Sequence, residues 1–329
     1  MSQCHQAIAS LKISADLGIV STLKKQTESK KQNLAAIDIG SNAIRMVIAR
    51  HTELGLEIRK KYRFPIRLGA DVFKSGEISG KNLKLSARTF RKFKEVTEKY
   101  QVSKIRAVAT SALREAKNKQ SFVDLMFRKS KIAVEIIDGI EEAKLIYDAV
   151  SREVSLENHS ALLVDIGGGS VELTCSRKGA IAFAETFPFG TVRTLQNLKK
   201  RNLSEEHLSL ILADFVKALT QFFQNSGNEK FDFAVGTGGN LEALGKLKSQ
   251  ILKSSVNTVL TLQELNIIIQ HLQSYSIKDR IEKLGLREDR ADVILPAALL
   301  VQLILRQASI EKMFIPHVGL KDGILWGLI

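Results

Sequence analysis

Apolar and polar residues alternate over several stretches of the chain with the two-residue period of half-buried strands. Twice that alternation is interrupted by the same kind of glycine-containing break. Residues 36–49 read A-I-D-I-G-S-N-A-I-R-M-V-I-A, and residues 163–176 read L-V-D-I-G-G-G-S-V-E-L-T-C-S. Each runs through apolar positions into an aspartate (Asp38, Asp165), then Ile-Gly, small turn residues and a second apolar run. The pattern predicts strand, tight turn, strand in both places. Either one alone is equally well an ordinary hairpin, since short glycine motifs match often by chance. Two copies a domain's length apart point instead to two similar lobes facing a shared cleft.

The rest of the chain fills in around the hairpins. The first ordered strand is expected near Leu34, and a further strand over 57–63 after the first hairpin. Residues 67–79 read as loop. Leu83, Leu85, Phe90, Phe93 and Val96 recur at helical spacing within 81–99. Strands at 105–109 and 132–137 flank a helix at 119–129. Asp138-Gly139 opens another helix, with Glu141 and Glu142 in its first turn. Strands at 161–165, 171–175 and 180–187 precede helices at 204–225, 239–248, 261–274 and 292–307. A strand at 231–235 runs into G-T-G-G-N (236–240); a strand at 313–316 and a short helix over 319–329 close the chain. No Pro- or Gly-rich linker divides the lobes, so the boundary follows from the repeat, just past Glu142. Lobe I is expected over 34–145 and lobe II over 146–317, with 318–329 packing back on lobe I. Residues 1–33 are expected to be a poorly ordered extension.

The 329 residues suffice for two domains, and 44% hydrophobic with 26% charged residues is ordinary for a soluble globular protein. Charge changes the picture more. Lys and Arg number 49 against 35 Asp and Glu, a net +14 that favours anionic partners. With only 6% aromatics and no basic stretch interleaved with stacking residues, a polyphosphorylated ligand fits better than a specific nucleic acid. Cys4 and Cys175 make no disulfide framework, and the six scattered histidines make a zinc site improbable. No apolar run approaches the ~18 residues of a membrane span, and residues 1–33 lack a signal peptide's apolar core, so a cytoplasmic protein without membrane contact is expected.

Glycine turns let an anion sit close to backbone N–H groups, and a carboxylate at the adjoining strand end can hold a phosphate-bound Mg²⁺, directly or through water. Candidate phosphate-binding residues are therefore Gly40, Ser41 and Asn42 in the first turn and Gly167, Gly168, Gly169 and Ser170 in the second. Gly236, Thr237, Gly238 and Gly239 form a third turn that opens a helix, which aims unpaired N–H groups at an anion; it is as readily a plain tight turn. Glu141 and Glu142 suit the start of any helix. Their place just ahead of the second turn makes a carboxylate pointing into the cleft the competing reading.

Seven motifs occur together and in order: D-I-G-S-N-A-I-R (38–45), A-T-S-A-L-R-E-A-K-N (109–118), G-I-E-E-A (139–143), D-I-G-G-G-S-V-E-L (165–173), F-G-T-V-R (189–193), G-T-G-G-N (236–240) and R-A-D-V-I (290–294). The set resembles the exopolyphosphatase / guanosine pentaphosphate phosphohydrolase (Ppx/GppA) family from Leu34 to Ile329. The resemblance implies an α/β fold, a duplicated ribonuclease H-like architecture of the actin-like, sugar-kinase-like ATPase superfamily with an inter-lobe cleft. It also implies the short, two-lobe form, without the HD-type helical domain of longer relatives. Carried over motif by motif, it makes Glu142 the catalytic base and Asp165 a metal ligand with Glu172 beside it, and gives Asp38 the same role in lobe I. The cofactor implied is Mg²⁺ or Mn²⁺. Arg45, Arg114, Arg193 and Arg290 become phosphate clamps, although each is as readily an ordinary ion-pair partner. Ala43, Asn240 and Lys321-Asp322 depart from the family's common Ser, Thr and Arg-Glu. The implied activity is release of the terminal phosphate from inorganic polyphosphate or pppGpp, with polyphosphate or guanosine penta- or tetraphosphate as partner and a homodimer left open. A sugar- or acetate-kinase-like phosphotransferase and a non-catalytic (p)ppGpp or polyphosphate sensor are the alternatives.

Overall fold

A computed structural model of the chain describes residues 32–227 and 230–329. All but the last two residues of the expected extension lie outside the described residues. Asn33 already opens the first strand.

Lobe I begins with a meander, β1 (Asn33–Ile39), β2 (Ile44–Thr52) and β3 (Gly55–Phe64). It continues through α1 (Leu68–Ser75), α2 (Gly80–Lys99), β4 (Val102–Ala109), α3 (Ser111–Glu115), α4 (Lys119–Ser130), β5 (Val134–Ile136) and α5 (Gly139–Val150). Lobe II repeats the meander as β6 (Ser160–Ile166), β7 (Val171–Arg177) and β8 (Ala180–Phe187). There follow α6 (Thr191–Lys200), a 3₁₀ turn (Glu205–His207), α7 (Leu208–Asn225), β9 (Phe233–Thr237), α8 (Gly238–Leu252), β10 (Val259–Thr261) and α9 (Leu262–Ser274). Then come α10 (Ile277–Glu282), α11 (Glu288–Ala291), α12 (Ile294–Gln307), β11 (Lys312–Phe314) and α13 (Leu320–Trp326).

The first sheet has the order β3-β2-β1-β4-β5 and the second β10-β11-β9-β6-β7-β8. With the extra edge strand β10 set aside, the second is the first repeated. Each has an antiparallel meander whose first strand pairs in parallel with the strand beyond it (β1 with β4, β6 with β9), then one more parallel strand. This is the duplicated ribonuclease H-like topology.

Strands covered on both faces read as nearly unbroken apolar runs, and β1 and β6 are buried almost throughout. On one face of the lobe I sheet, Ile37, Ile44 and Met46 meet Phe90 and Phe93 of α2 and Phe122 of α4. On the other, Leu34, Ala36 and Val47 are covered by Leu145 of α5 and by Ile324 and Leu325 of α13. The chain's last helix thus completes lobe I. The next turn of α5 serves the other lobe, where Ile146, Tyr147 and Val150 pack on Leu163, Phe233 and Val235. A boundary at 145/146 therefore runs through a shared helix. On the far side, Val192 and Val293 from lobe II insert into the lobe I core.

Helix α1 replaces the loop expected over 67–79. It is only eight residues long and contains Gly69, so its apolar triplet Leu68, Val72 and Phe73 is too short to register as periodic. Its N–H at Gly69 donates to Ser41 O (2.9 Å), which seats it against the first glycine turn. Among the described residues no helix is long and apolar enough to cross a membrane.

Candidate functional site

Both glycine turns close with the same hydrogen bond: Gly40 N–H donates to Ala43 O (3.1 Å) and Gly167 N–H to Ser170 O (3.0 Å). Strand register then places equivalent residues face to face, but with opposite chemistry. Opposite Asp38 stands Arg45; opposite Asp165 stands Glu172. The lobe I pair neutralises itself, with Arg45 Nη1 donating to Asp38 Oδ2 at 2.7 Å. The lobe II pair brings two carboxylates together.

Glu142 joins that second pair. Asp138 caps α5 by accepting the Glu141 N–H (2.8 Å), which fixes the first turn. Glu141 then turns outward to Arg106, and Glu142, 5% exposed, turns into the cleft. One oxygen from each of Glu142, Asp165 and Glu172 lies within 4.8 Å of the others. Arg114 is the cation closest at hand, donating to Glu142 Oε2 at 2.7 Å and lying 3.9 Å from Glu172 Oε1. It does not balance the group. Burial, reinforced by Asp165 and Asp38 and opposed by Arg114, pushes the Glu142 carboxyl up to about 7. Burial first, then Glu142 and Asp165, hold Glu172 well above its ordinary value, and burial raises Asp165 as well. Glu172 Oε2 has no hydrogen-bond partner although it is buried. Three crowded carboxylates with an unused acceptor are the donor set of a hard divalent cation, so these residues fit Mg²⁺.

The third glycine turn completes this wall. Thr237 Oγ1 donates to Asp165 Oδ1 (2.7 Å), and Gly238, at φ +82°, lies so close that a Cβ there would stand 2.6 Å from the same oxygen. Asn240 Nδ2 donates to Ile166 O (2.6 Å), tying the start of the 15-residue helix α8 to the end of β6. Gly236 itself lies behind the turn, against Met313 and Leu241.

Arginines crowd the start of α8. Arg290, 4% exposed, bonds Asn240 Oδ1, and its guanidinium and that of Arg45 both approach Gly239 at the start of α8. Burial, with Arg45, Arg63 and Arg287 adding to it, lowers Arg290 to about 9. Its Nε has no partner, and neither do the buried Ser41 Oγ and Asn42 Oδ1 of the first turn. These groups share a cleft of about 450 Å³ with Glu142, Asp165 and Gly167–Ser170. Arg63 and Arg287 lie in no glycine motif, and it is the strand register, which sets Arg63 of β3 opposite Arg45, that brings Arg63 to the site.

Arg193 lies elsewhere. Its Nε donates to Gly169 O (2.7 Å), its guanidinium pairs with Glu115, and it stacks 3.9 Å over Phe73. It braces the second glycine turn from outside the cleft. Here Gly169 is required, because a Cβ would stand 2.6 Å from both Phe73 and Ser41 Oγ.

The paired meanders and the cleft between them define a duplicated ribonuclease H-like protein of the actin-like ATPase superfamily. The Ppx/GppA phosphatase family model matches residues 47–329, and the chain belongs to that family. It is 27% identical over 297 residues to the guanosine-5'-triphosphate,3'-diphosphate pyrophosphatase of Aliivibrio fischeri, covering 90% of this chain and 59% of that protein. The chain thus spans about three-fifths of the length of the curated relatives it matches. The crystal structure of an exopolyphosphatase from Cytophaga hutchinsonii superposes with a TM-score of 0.77 at 25% identity, covering 90% of this chain and 97% of that one. The Aquifex aeolicus family member shares the fold with a TM-score of 0.73 at 24% identity, over 90% and 97% of the two chains.

Proposed function

We propose that the protein is a Mg²⁺-dependent hydrolase that releases the terminal phosphate of inorganic polyphosphate or of pppGpp. One observation carries the reading: three under-neutralised carboxylates stand near a crowded set of guanidinium groups, of which the buried Arg290 is the least balanced. A metal-bound oligophosphate satisfies both, the cation meeting the acids and the phosphoryl oxygens meeting the arginines and the glycine turns.

Asp165 and Glu172 would hold the metal, directly or through water, with Glu142 beside them left for the base. Bound there, it would neutralise charge on the phosphoanhydride. Ser41, Asn42 and the N–H groups of the three glycine turns would orient the phosphates, while Arg45 and Arg290 draw the anion down against α8. Glu142 would accept the proton of the water that attacks the terminal phosphorus. The bond to the bridging oxygen breaks, and the shortened chain leaves with that oxygen. In the metal-free cleft burial holds the Glu142 carboxyl up at about 7, which makes it more basic than an ordinary carboxylate. Arg114 would keep Glu142 aligned, its Nη1 donating to both Glu142 Oε2 and Ile137 O. Arg193 would steady the second turn from behind.

The test is one phosphate-release assay with long-chain polyphosphate, pppGpp and ATP, each with and without Mg²⁺. Release from either of the first two that needs Mg²⁺ is the expected result. Phosphoryl transfer from ATP to an acceptor, with neither of the others hydrolysed, would turn the reading to a kinase-like phosphotransferase. Binding without any release would turn it to a sensor.

A further inference from the structure

The chain's surplus charge is not spread over the molecule. Residues 57–131 hold 21 Lys and Arg but only 7 Asp and Glu, a surplus of 14 that equals the net charge of all 329 residues. The remainder of the chain is balanced. This segment runs from β3 through α1, α2, β4 and α4; Lys104 and Arg106 of β4 turn to Leu328 O and to Glu135 and Glu141, and the side of lobe I that α2 covers carries a further share.

Helix α2 shows how that side is built. Its apolar stripe, Phe90 and Phe93, is buried in the core, and Ser79 caps its start by accepting the Asn82 N–H. The opposite stripe is Lys81, Lys84, Arg88 and Arg91, spaced by three, four and three residues and all exposed, and it ends at the exposed Glu95 one turn further on. They form a row roughly 15 Å long. None of the four has a carboxylate within ion-pair distance among the described residues. Four like charges at helical spacing repel one another and gain nothing for the fold. An interacting anion removes that cost.

The row lies next to the cleft. Edge strand β3 contributes Lys61 and Arg63 to the cleft wall, and the ring of its next residue, Phe64, lies under Lys92 of α2 at 5.5 Å. Strand β3 thus touches the cavity wall on one side and α2 on the other, and the cationic row lies on the outer side of that helix.

We propose that this face of lobe I docks the distal part of an inorganic polyphosphate chain whose end is held in the cleft. The choice of polyanion rests on the hydrolase reading; the charge distribution does not. Nucleic acid fits less well, because the α2 stripe offers no aromatic side chain for base stacking, Phe90 and Phe93 being 0% exposed, and neighbouring α4 offers a single exposed ring, Phe127. A lipid surface fits less well because nothing apolar stands among the four cations.

The test measures binding of long-chain polyphosphate and of tripolyphosphate to the full chain in a Glu142→Gln background, over a series of salt concentrations. The variant carries Lys84→Glu, Arg88→Glu and Arg91→Glu. A control with the same change in net charge carries Lys200→Glu, Lys217→Glu and Lys278→Glu, all exposed on lobe II. We expect the α2 variant to weaken long-chain binding by at least about tenfold and to flatten its salt dependence. Its binding of tripolyphosphate, too short to leave the cleft, should stay as it was, and the control should bind both ligands as the parent does. Thermal unfolding of each protein verifies folding, and milder Lys84→Gln, Arg88→Gln and Arg91→Gln changes should give a smaller effect of the same kind. Equal losses in the α2 variant and the control would reduce the effect to net charge and overturn the docking face, as would unchanged long-chain binding. Tighter binding of duplex RNA or anionic vesicles than of polyphosphate, lost in the α2 variant, would reassign the face to that partner. Because hydrolysis is not read, an unmodified protein that releases no phosphate would sink the hydrolase reading and leave this result standing.

Discussion

Replacing Glu142 by glutamine should abolish phosphate release and make the metal-free protein more stable at alkaline pH. The amide keeps the shape and can still accept from Arg114, but it removes a buried charge. The folded protein raises the Glu142 carboxyl from 4.5 to about 7, mainly through burial. A raised carboxylate adds most stability when protonated, below its unfolded value, and the contribution is lost as pH rises through the folded value. A shift of roughly 2.5 units at about 1.4 kcal/mol each comes to about 3 kcal/mol at pH 8, and less than about 0.5 kcal/mol at pH 4.5. This is an upper figure, because Asp165 and Glu172 share in the titration. For a chain of this size it corresponds to a melting temperature higher than wild type by roughly 5–10 °C at pH 8 and nearly equal at pH 4.5. Thermal unfolding in chelator at the two pH values reads the stability term; single-turnover phosphate release with Mg²⁺ reads the chemistry, where loss of a base costs roughly 10²–10⁴-fold. Mg²⁺ should narrow the melting gap, since it stabilises the charged wild-type cluster. A variant equally stabilised at both pH values would refute the buried-charge reasoning, and wild-type release would refute the base.

Asp165→Asn and Glu172→Gln should each shift Mg²⁺ dependence to higher concentration and remove most of the melting-temperature gain that Mg²⁺ gives wild type; an unchanged titration would take these residues out of the metal site. Arg290→Gln should weaken oligophosphate binding by roughly 10–100-fold, the worth of a charge-assisted contact, and isothermal titration with the Glu142→Gln protein as parent reads it. Gly169→Ala should cost about 1–3 kcal/mol in urea unfolding, because its methyl group meets Phe73 and Ser41 with no room to yield. Phe90→Ala, deep beneath α2 and 0% exposed, should cost about 3–5 kcal/mol by the same measurement without changing the metal titration.

The repeated hairpins were legible because a tight turn between two alternating runs is a local signal, and seven residues of β1 or β6 suffice to display it. The order of the parallel strands came with the family resemblance, since pairings such as Asp165 with Thr237 join residues far apart in the chain. Short elements whose packing partners are distant escaped: α1 hides its helix behind Gly69, and β10 is three residues long. In the site, residues inside glycine motifs could be named. Arg63 and Arg287 could not, because a surface-like arginine reveals a role only when folding sets it beside others. Sequence also gives no view of a side chain's direction. Arg193 sits in a motif yet faces Glu115 and Phe73, and Glu141 and Glu142 are neighbours that point to different surroundings.

At the register position facing the aspartate the two hairpins carry opposite charge, arginine in the first and glutamate in the second. That difference gives the cavity a polarity along its length, so a linear anion lying in it has a preferred heading. Its cation-carrying tip belongs beside Glu172, and its tail belongs among the guanidinium groups and beyond. A chain lodged the other way round would set bare phosphate against carboxylate. Directional trimming from a terminus, rather than cutting at random, would follow from this reversal of charge between the halves.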